Sequence, residues 1–222
     1  MTWLLALSGL CAIVNWWAVE RRQRGWVVVT KPAVMVFLIV WLAGVSGDIT
    51  WLMAGLTLSL VGDVLLLGGL RFFKPGLLAF LAAHICYVLY FKPLIPVGAF
   101  FPAGVIAFFL LGLGIWFGRR VYRGLRQTGR IHLFRAVAGY MLAISLMVLA
   151  AALRGFDPDW SAAAALCALV GALLFFASDL MNAHRRFVAH FAHEELAVMV
   201  TYHLGQILLA VSAVLNMTGT GV

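Results

Sequence analysis

The chain has 222 residues, of which 64% are hydrophobic and 11% charged, and its mean hydropathy is +1.04. A water-soluble domain cannot hide that much apolar side chain, so a soluble globular fold is excluded. The formal net charge is +8, from 16 Lys and Arg against 8 Asp and Glu. In a polar protein this would suggest nucleic acid; in so apolar a chain it reflects topology, because cytoplasmic loops collect Lys and Arg, and no nucleic-acid partner is expected.

A membrane-spanning helix needs about 20 apolar residues. Apolar runs between Gly, Pro and charge breaks predict eight spans, at about 3–19, 27–44, 51–69, 76–91, 101–117, 135–153, 161–180 and 196–215. The expected fold class is therefore all-α, a polytopic transmembrane bundle of eight helices forming one domain over residues 1–222. In the first span the charges Arg21, Arg22 and Arg24 follow the apolar run, the reverse of a cleavable signal peptide, so it is expected to stay as a helix. The fourth, between Pro75 and Pro93, is short and covers roughly 24 Å. Cys11, Cys86 and Cys167 fall inside apolar runs without ligand spacing and read as small core residues.

Charge alternates along the connections. The odd-numbered ones, with the residues beside them, hold every Lys and Arg except Lys92 and Arg154. The positive-inside rule then places the odd connections in the cytoplasm and both termini outside. The expected location is a bacterial inner (cell) membrane, as a multi-pass protein in contact with bilayer lipids. The fifth connection, Gly118 to Phe134, mixes arginines with Val121, Tyr122, Leu125 and Ile131. It is expected as a basic loop that sets topology, which is compatible with a strip lying on anionic headgroups.

Ionisable groups at membrane depth are costly, so they are functional candidates. Lys31 opens the second span and Asp63 lies near the end of the third. His84 and Tyr87 share a face of the fourth, Asp179 ends the seventh with Asn182 just after it, and Tyr202 and Gln206 share a face of the eighth. With alternating helix direction, all of these fall in the cytoplasmic half, which points to one shared polar pocket. Singly each has a plainer reading: Lys31 as a snorkelling interface residue, His84 as a core histidine, the tyrosines as interfacial. The aspartates are harder to dismiss, since Gly62 and Ser178 beside them allow close helix approach and burial. His184, His190 and His193, with Glu194 and Glu195, have a spacing that permits metal binding, but a wet amphipathic loop is the favoured reading. The order Gly62-Asp63 then His84 and Tyr87, against Ser178-Asp179 then Tyr202 and His203, is a faint internal echo.

At these residues the chain resembles the YhhN-like membrane family, whose characterised members are lysoplasmalogenases. The matching stretches are Thr30-Lys31-Pro32, SLVGDVLLL from Ser59, FFKPGLLAFLAAHICYVLYF from Phe72, FFASDLMNAHRRF from Phe175 and YHLGQILLA from Tyr202. Their order and spacing make the set specific, and eight helices are what the family leads one to expect. The resemblance implies hydrolysis of the sn-1 vinyl ether of a lysophospholipid substrate, a lysoplasmalogen, to a fatty aldehyde and a glycerophospho-headgroup.

The residues suit that chemistry on independent grounds. Protonating the outer carbon of a vinyl ether gives an oxocarbenium ion, water adds, and the hemiacetal collapses. Such a site needs one carboxylic acid and one carboxylate, as glycosidases do. Asp63 and Asp179 are expected to be that pair, with Asp63 the preferred acid because Val61, Gly62 and Val64 give it a drier setting, and with Ser178 and Asn182 hydrogen-bonding Asp179. Lys31 would meet the phosphate, and His84, Tyr87, Asn182, Tyr202 and Gln206 would position headgroup, glycerol or water. No metal and no organic cofactor are called for. Two alternatives stay open: a metal-dependent lipid hydrolase using His84, His203 or the loop histidines, and a small-molecule or lipid transporter.

Overall fold

The computed structural model describes residues 2–92, 94–96 and 98–219, the side chains of Leu70 and Gly219 excepted. Pro93, used above as a span boundary, lies outside the described residues. The fold is all-helical. Its helices are α1 (Thr2–Glu20), α2 (Arg24–Ala43), α3 (Thr50–Leu67), α4 (Phe73–Tyr90), α5 (Phe100–Gln127), α6 (Phe134–Leu153), α7 (Ala162–Phe187) and α8 (Glu194–Gly219). All eight are long and apolar enough to cross a membrane.

Chain neighbours pack as antiparallel pairs, α1 with α2, α3 with α4 and α7 with α8, and α8 also touches α1 and α2. Small residues set the spacing. A Cβ on Gly171 would stand 3.0 Å from the Gly205 carbonyl oxygen, so α7 and α8 meet backbone to backbone. Gly62 receives the Phe80 ring and Gly55 the Tyr87 ring, which brings α4 onto the face of α3 that carries Asp63. Polar clasps join α1 to α2: Ser8 Oγ donates to the Val34 carbonyl at 3.0 Å, and Asn15 Nδ2 donates to Thr30 Oγ1 at 2.9 Å. Thr30 in turn donates to the Trp26 carbonyl at 2.7 Å, so the residue before Lys31 is held on both sides.

The helix ends that differ most from the sequence expectation are those of α5 and α7, where polarity changes without a helix breaker. α4 starts at Phe73, with Pro75 inside its first turn, where a missing N–H costs no helical bond. α5 continues through the arginine-rich stretch to Gln127, so Arg119, Arg120, Arg123 and Arg126 belong to a helix and not to a loop. It stops at Thr128 and Gly129, the latter with φ of +68°. α7 likewise runs past residue 180 to Phe187, its last turn basic with His184, Arg185 and Arg186, while α8 begins with Glu194 and Glu195. Those charges complement the two helix dipoles. α5 is the marginal helix, packed against α6 and α7.

Candidate active site

The ends of α3 and α7 and the starts of α2, α4, α6 and α8 meet at the end of the bundle that carries the odd-numbered connections. They enclose a cavity of about 260 Å³. Lys31, Asp63, Asp179, Asn182 and Tyr202 all line it, as does Tyr140. The common depth expected from the alternating charge pattern is thus matched by a common cavity.

Asp63 is wholly buried. Its Oδ1 lies 2.9 Å from Lys31 Nζ, an ion pair with 9% of the lysine side chain exposed. Its Oδ2 accepts from the Tyr202 hydroxyl at 2.7 Å, and Lys31 Nζ also stands 5.8 Å from the centroid of the Tyr202 ring. Lys31 therefore holds a carboxylate inside the protein and does not reach out to the membrane interface. A buried ion pair on one oxygen and a hydrogen bond on the other is the arrangement in which an aspartate tolerates burial.

Asp179 has different company. Tyr140, on α6, donates to its Oδ2 at 2.7 Å. His84 Nε2 stands 3.4 Å from the same oxygen, long for a hydrogen bond. The other His84 nitrogen, Nδ1, lies 2.7 Å from the Phe80 carbonyl. A carbonyl can only accept, so Nδ1 carries a hydrogen, and in a neutral ring Nε2 is then an acceptor facing a carboxyl. Nε2 is buried and has no hydrogen-bond partner among the described residues. Ser178 and Asn182 do not bond Asp179 as expected: Ser178 Oγ donates to the Val198 carbonyl, and Asn182 Oδ1 accepts from Arg185. Both turn away because α8 and the last turn of α7 offer nearer partners.

Two expected substrate contacts fall behind the cavity. Tyr87 donates to Gln206 Oε1 at 2.7 Å and lies 3.3 Å from Ser59 Oγ. All three side chains are fully buried and none lines the cavity. They brace α3, α4 and α8 against one another. His84 also lies behind the wall, reaching the site through Asp179. His203 turns to α1, where Trp16 Nε1 donates to its Nδ1 at 3.1 Å.

Sequence reasoning missed Tyr140 and the polar rim of the cavity. Arg185, Arg186 and Glu195 line it, with Arg185 Nη1 3.2 Å from Glu195 Oε1 and the Arg186 guanidinium 4.4 Å from the Phe73 ring centroid. Nε of Arg186 is buried without a hydrogen-bond partner among the described residues. The connection histidines pair with carboxylates, His190 with Glu194 at 2.7 Å and His193 with Glu20 at 3.0 Å. Among the described residues no three His, Cys, Asp or Glu side chains are placed to hold a metal ion.

Two aspartates in one polar cavity, one paired with Lys31 and the other hydrogen-bonded by Tyr140, mark the chain as a membrane protein with eight helices among the described residues and a carboxyl-bearing pocket inside them. Residues 26–213 match the YhhN family, and the chain belongs to it. It is 28% identical over 217 residues to the human lysoplasmalogenase TMEM86B, covering 95% of this chain and 86% of that protein. A lysoplasmalogenase of Mycobacterium bovis is 34% identical over 170 residues, 72% of this chain and 58% of its own length. The membrane protein YhhN of Escherichia coli O157:H7 is 27% identical over 202 residues, 87% of this chain and 91% of its length. No solved structure matches the chain.

Proposed function

We propose that the protein hydrolyses the vinyl ether of lysoplasmalogens at the cavity between Asp63 and Asp179, with the odd-numbered connections facing the cytoplasm. The observation that carries the reading is the unequal surroundings of two aspartates in one cavity. On this reading the preference for the acid passes from Asp63 to Asp179. Asp63, paired with Lys31, is the carboxylate; Asp179, sharing a proton with His84 and steadied by Tyr140, is the acid.

In this scheme Asp179 delivers its proton to the outer vinyl carbon. The oxocarbenium ion that forms lies opposite the Asp63 carboxylate, which stabilises it and accepts a proton from the attacking water. The hemiacetal then loses its hydroxyl proton to Asp179, and Asp63 returns its proton to the departing glycerol oxygen. The C–O bond breaks, both carboxyls regain their starting states, and the sum is vinyl ether plus water to aldehyde plus alcohol. His84 and Tyr140 hold the acid in place. Arg185 and Arg186 face the phosphate, taking the role expected of Lys31, and Glu195 faces a headgroup amine.

Purified protein in detergent is expected to release aldehyde from a lysoplasmalogen and none from the saturated ether analogue. No aldehyde from the choline or ethanolamine form, with the protein folded, would overturn the proposal in favour of transport.

A further inference from the structure

Beyond the polar cavity, two apolar spaces continue away from Asp179. A small one of about 50 Å³ shares Tyr140, Asp179 and Asn182 with the polar cavity and is otherwise lined mainly by apolar residues of α4, α6 and α7. Its Val137 and Met141, one turn apart on α6, also line a groove of about 740 Å³ between α5 and α6. Val137 and Met141 therefore stand between the small space beside Asp179 and the larger groove. The groove exists because α5 presents Gly114 and Gly118 there: a Cβ built on either meets no atom within 4 Å.

We infer that this groove binds the unbranched alkenyl chain of the substrate, entering past Val137 and Met141, so that the vinyl ether stops at Asp179. The inference rests on the proposed reaction and adds the chain site to it. The order of surfaces matches the order of groups in the molecule. Arg185 and Glu195 line only the polar cavity, Arg186 lines both it and the small space, and the walls of that space away from Asp179 are apolar. The outer vinyl carbon, which must be protonated, is the one bonded to the chain, and Asp179, not Asp63, lines the apolar extension. A lipid already in the bilayer reaches the site sideways, without its chain crossing water, and the aldehyde leaves the same way.

Gly114 and Gly118 are one helical turn apart, about 5–6 Å along the groove, so they make a ruler. Gly118→Phe and Gly114→Phe fill open space and replace a helix-weakening residue, so both are expected to fold. Against lysoplasmalogens of increasing chain length, kcat/KM relative to wild type should fall at least tenfold beyond a cut-off. That cut-off should be a few methylenes shorter in Gly118→Phe than in Gly114→Phe. A saturated-ether lysolipid with a diazirine in mid-chain should crosslink wild type on α5 or α6, and do so less in Gly118→Phe. Length profiles like wild type in both variants, or crosslinks confined to other helices, would overturn the inference. Absence of turnover at every length would instead sink the reaction, while the crosslink still decides the groove.

Discussion

His84 Nε2 stands 3.4 Å from Asp179 Oδ2 while its Nδ1 is held by the Phe80 carbonyl at 2.7 Å. In the neutral ring this turns the acceptor nitrogen toward Asp179, the acid of the proposed reaction. In D₂O the reaction should place one deuterium on the aldehyde carbon next to the carbonyl. In ¹⁸O-labelled water the released glycerol oxygen should carry no label, because the bond broken is on the alkenyl side. Mass spectrometry of both products checks this, and label in the glycerol product would refute the scheme.

Tyr140 gives Asp179 its hydroxyl hydrogen bond. If Asp179 reacts as proposed, Tyr140→Phe removes one bond to the reacting carboxyl, a loss of about 1.5–3 kcal/mol, or roughly tenfold to a hundredfold in rate. Steady-state kinetics should show the loss in kcat, with KM little changed. A loss confined to KM would make Tyr140 a substrate contact instead.

Lys31→Met would leave the Asp63 carboxylate buried without its cation. Breaking such a pair costs about 3–5 kcal/mol. Thermal unfolding in detergent should show a clear drop for Lys31→Met. The double variant with Asp63→Asn should recover part of it, as double-mutant coupling requires. Simple additivity would show that the pair is not coupled.

Arg186→Gln tests the polar rim. The Arg186 guanidinium rests on Phe73 and lines the cavity. Its loss should raise KM for phosphate-bearing substrates by about tenfold, the scale of one charge-assisted hydrogen bond. Relative to those substrates, 1-alkenylglycerol should be used much better than by wild type. Equal losses on both would assign Arg186 a structural role.

Asp63 and Asp179 were legible in the sequence because a carboxylate inside an apolar run has few excuses, and alternating charge placed both at one end of the bundle. Tyr140 was not legible. A tyrosine in Gly139-Tyr140-Met141 looks like any aromatic of a membrane span, and its partner is 39 positions away. His84, Tyr87, Tyr202 and Gln206 were seen to share helix faces, but periodicity does not tell cavity wall from the layer behind it. Helix ends at 127 and 187 were misjudged because hydropathy marks where a helix leaves apolar surroundings, whereas Thr128-Gly129 and the bend after Phe187 mark where it stops.

The most direct test is the aldehyde-release rate of Asp179→Asn and Asp63→Asn beside wild type, with unfolding curves to show that each folds. Loss of the carbon-protonating acid should lower kcat by a factor of about 1,000 or more in Asp179→Asn, with a similar or somewhat smaller fall in Asp63→Asn. A folded Asp179→Asn protein that turns over at the wild-type rate would contradict the account.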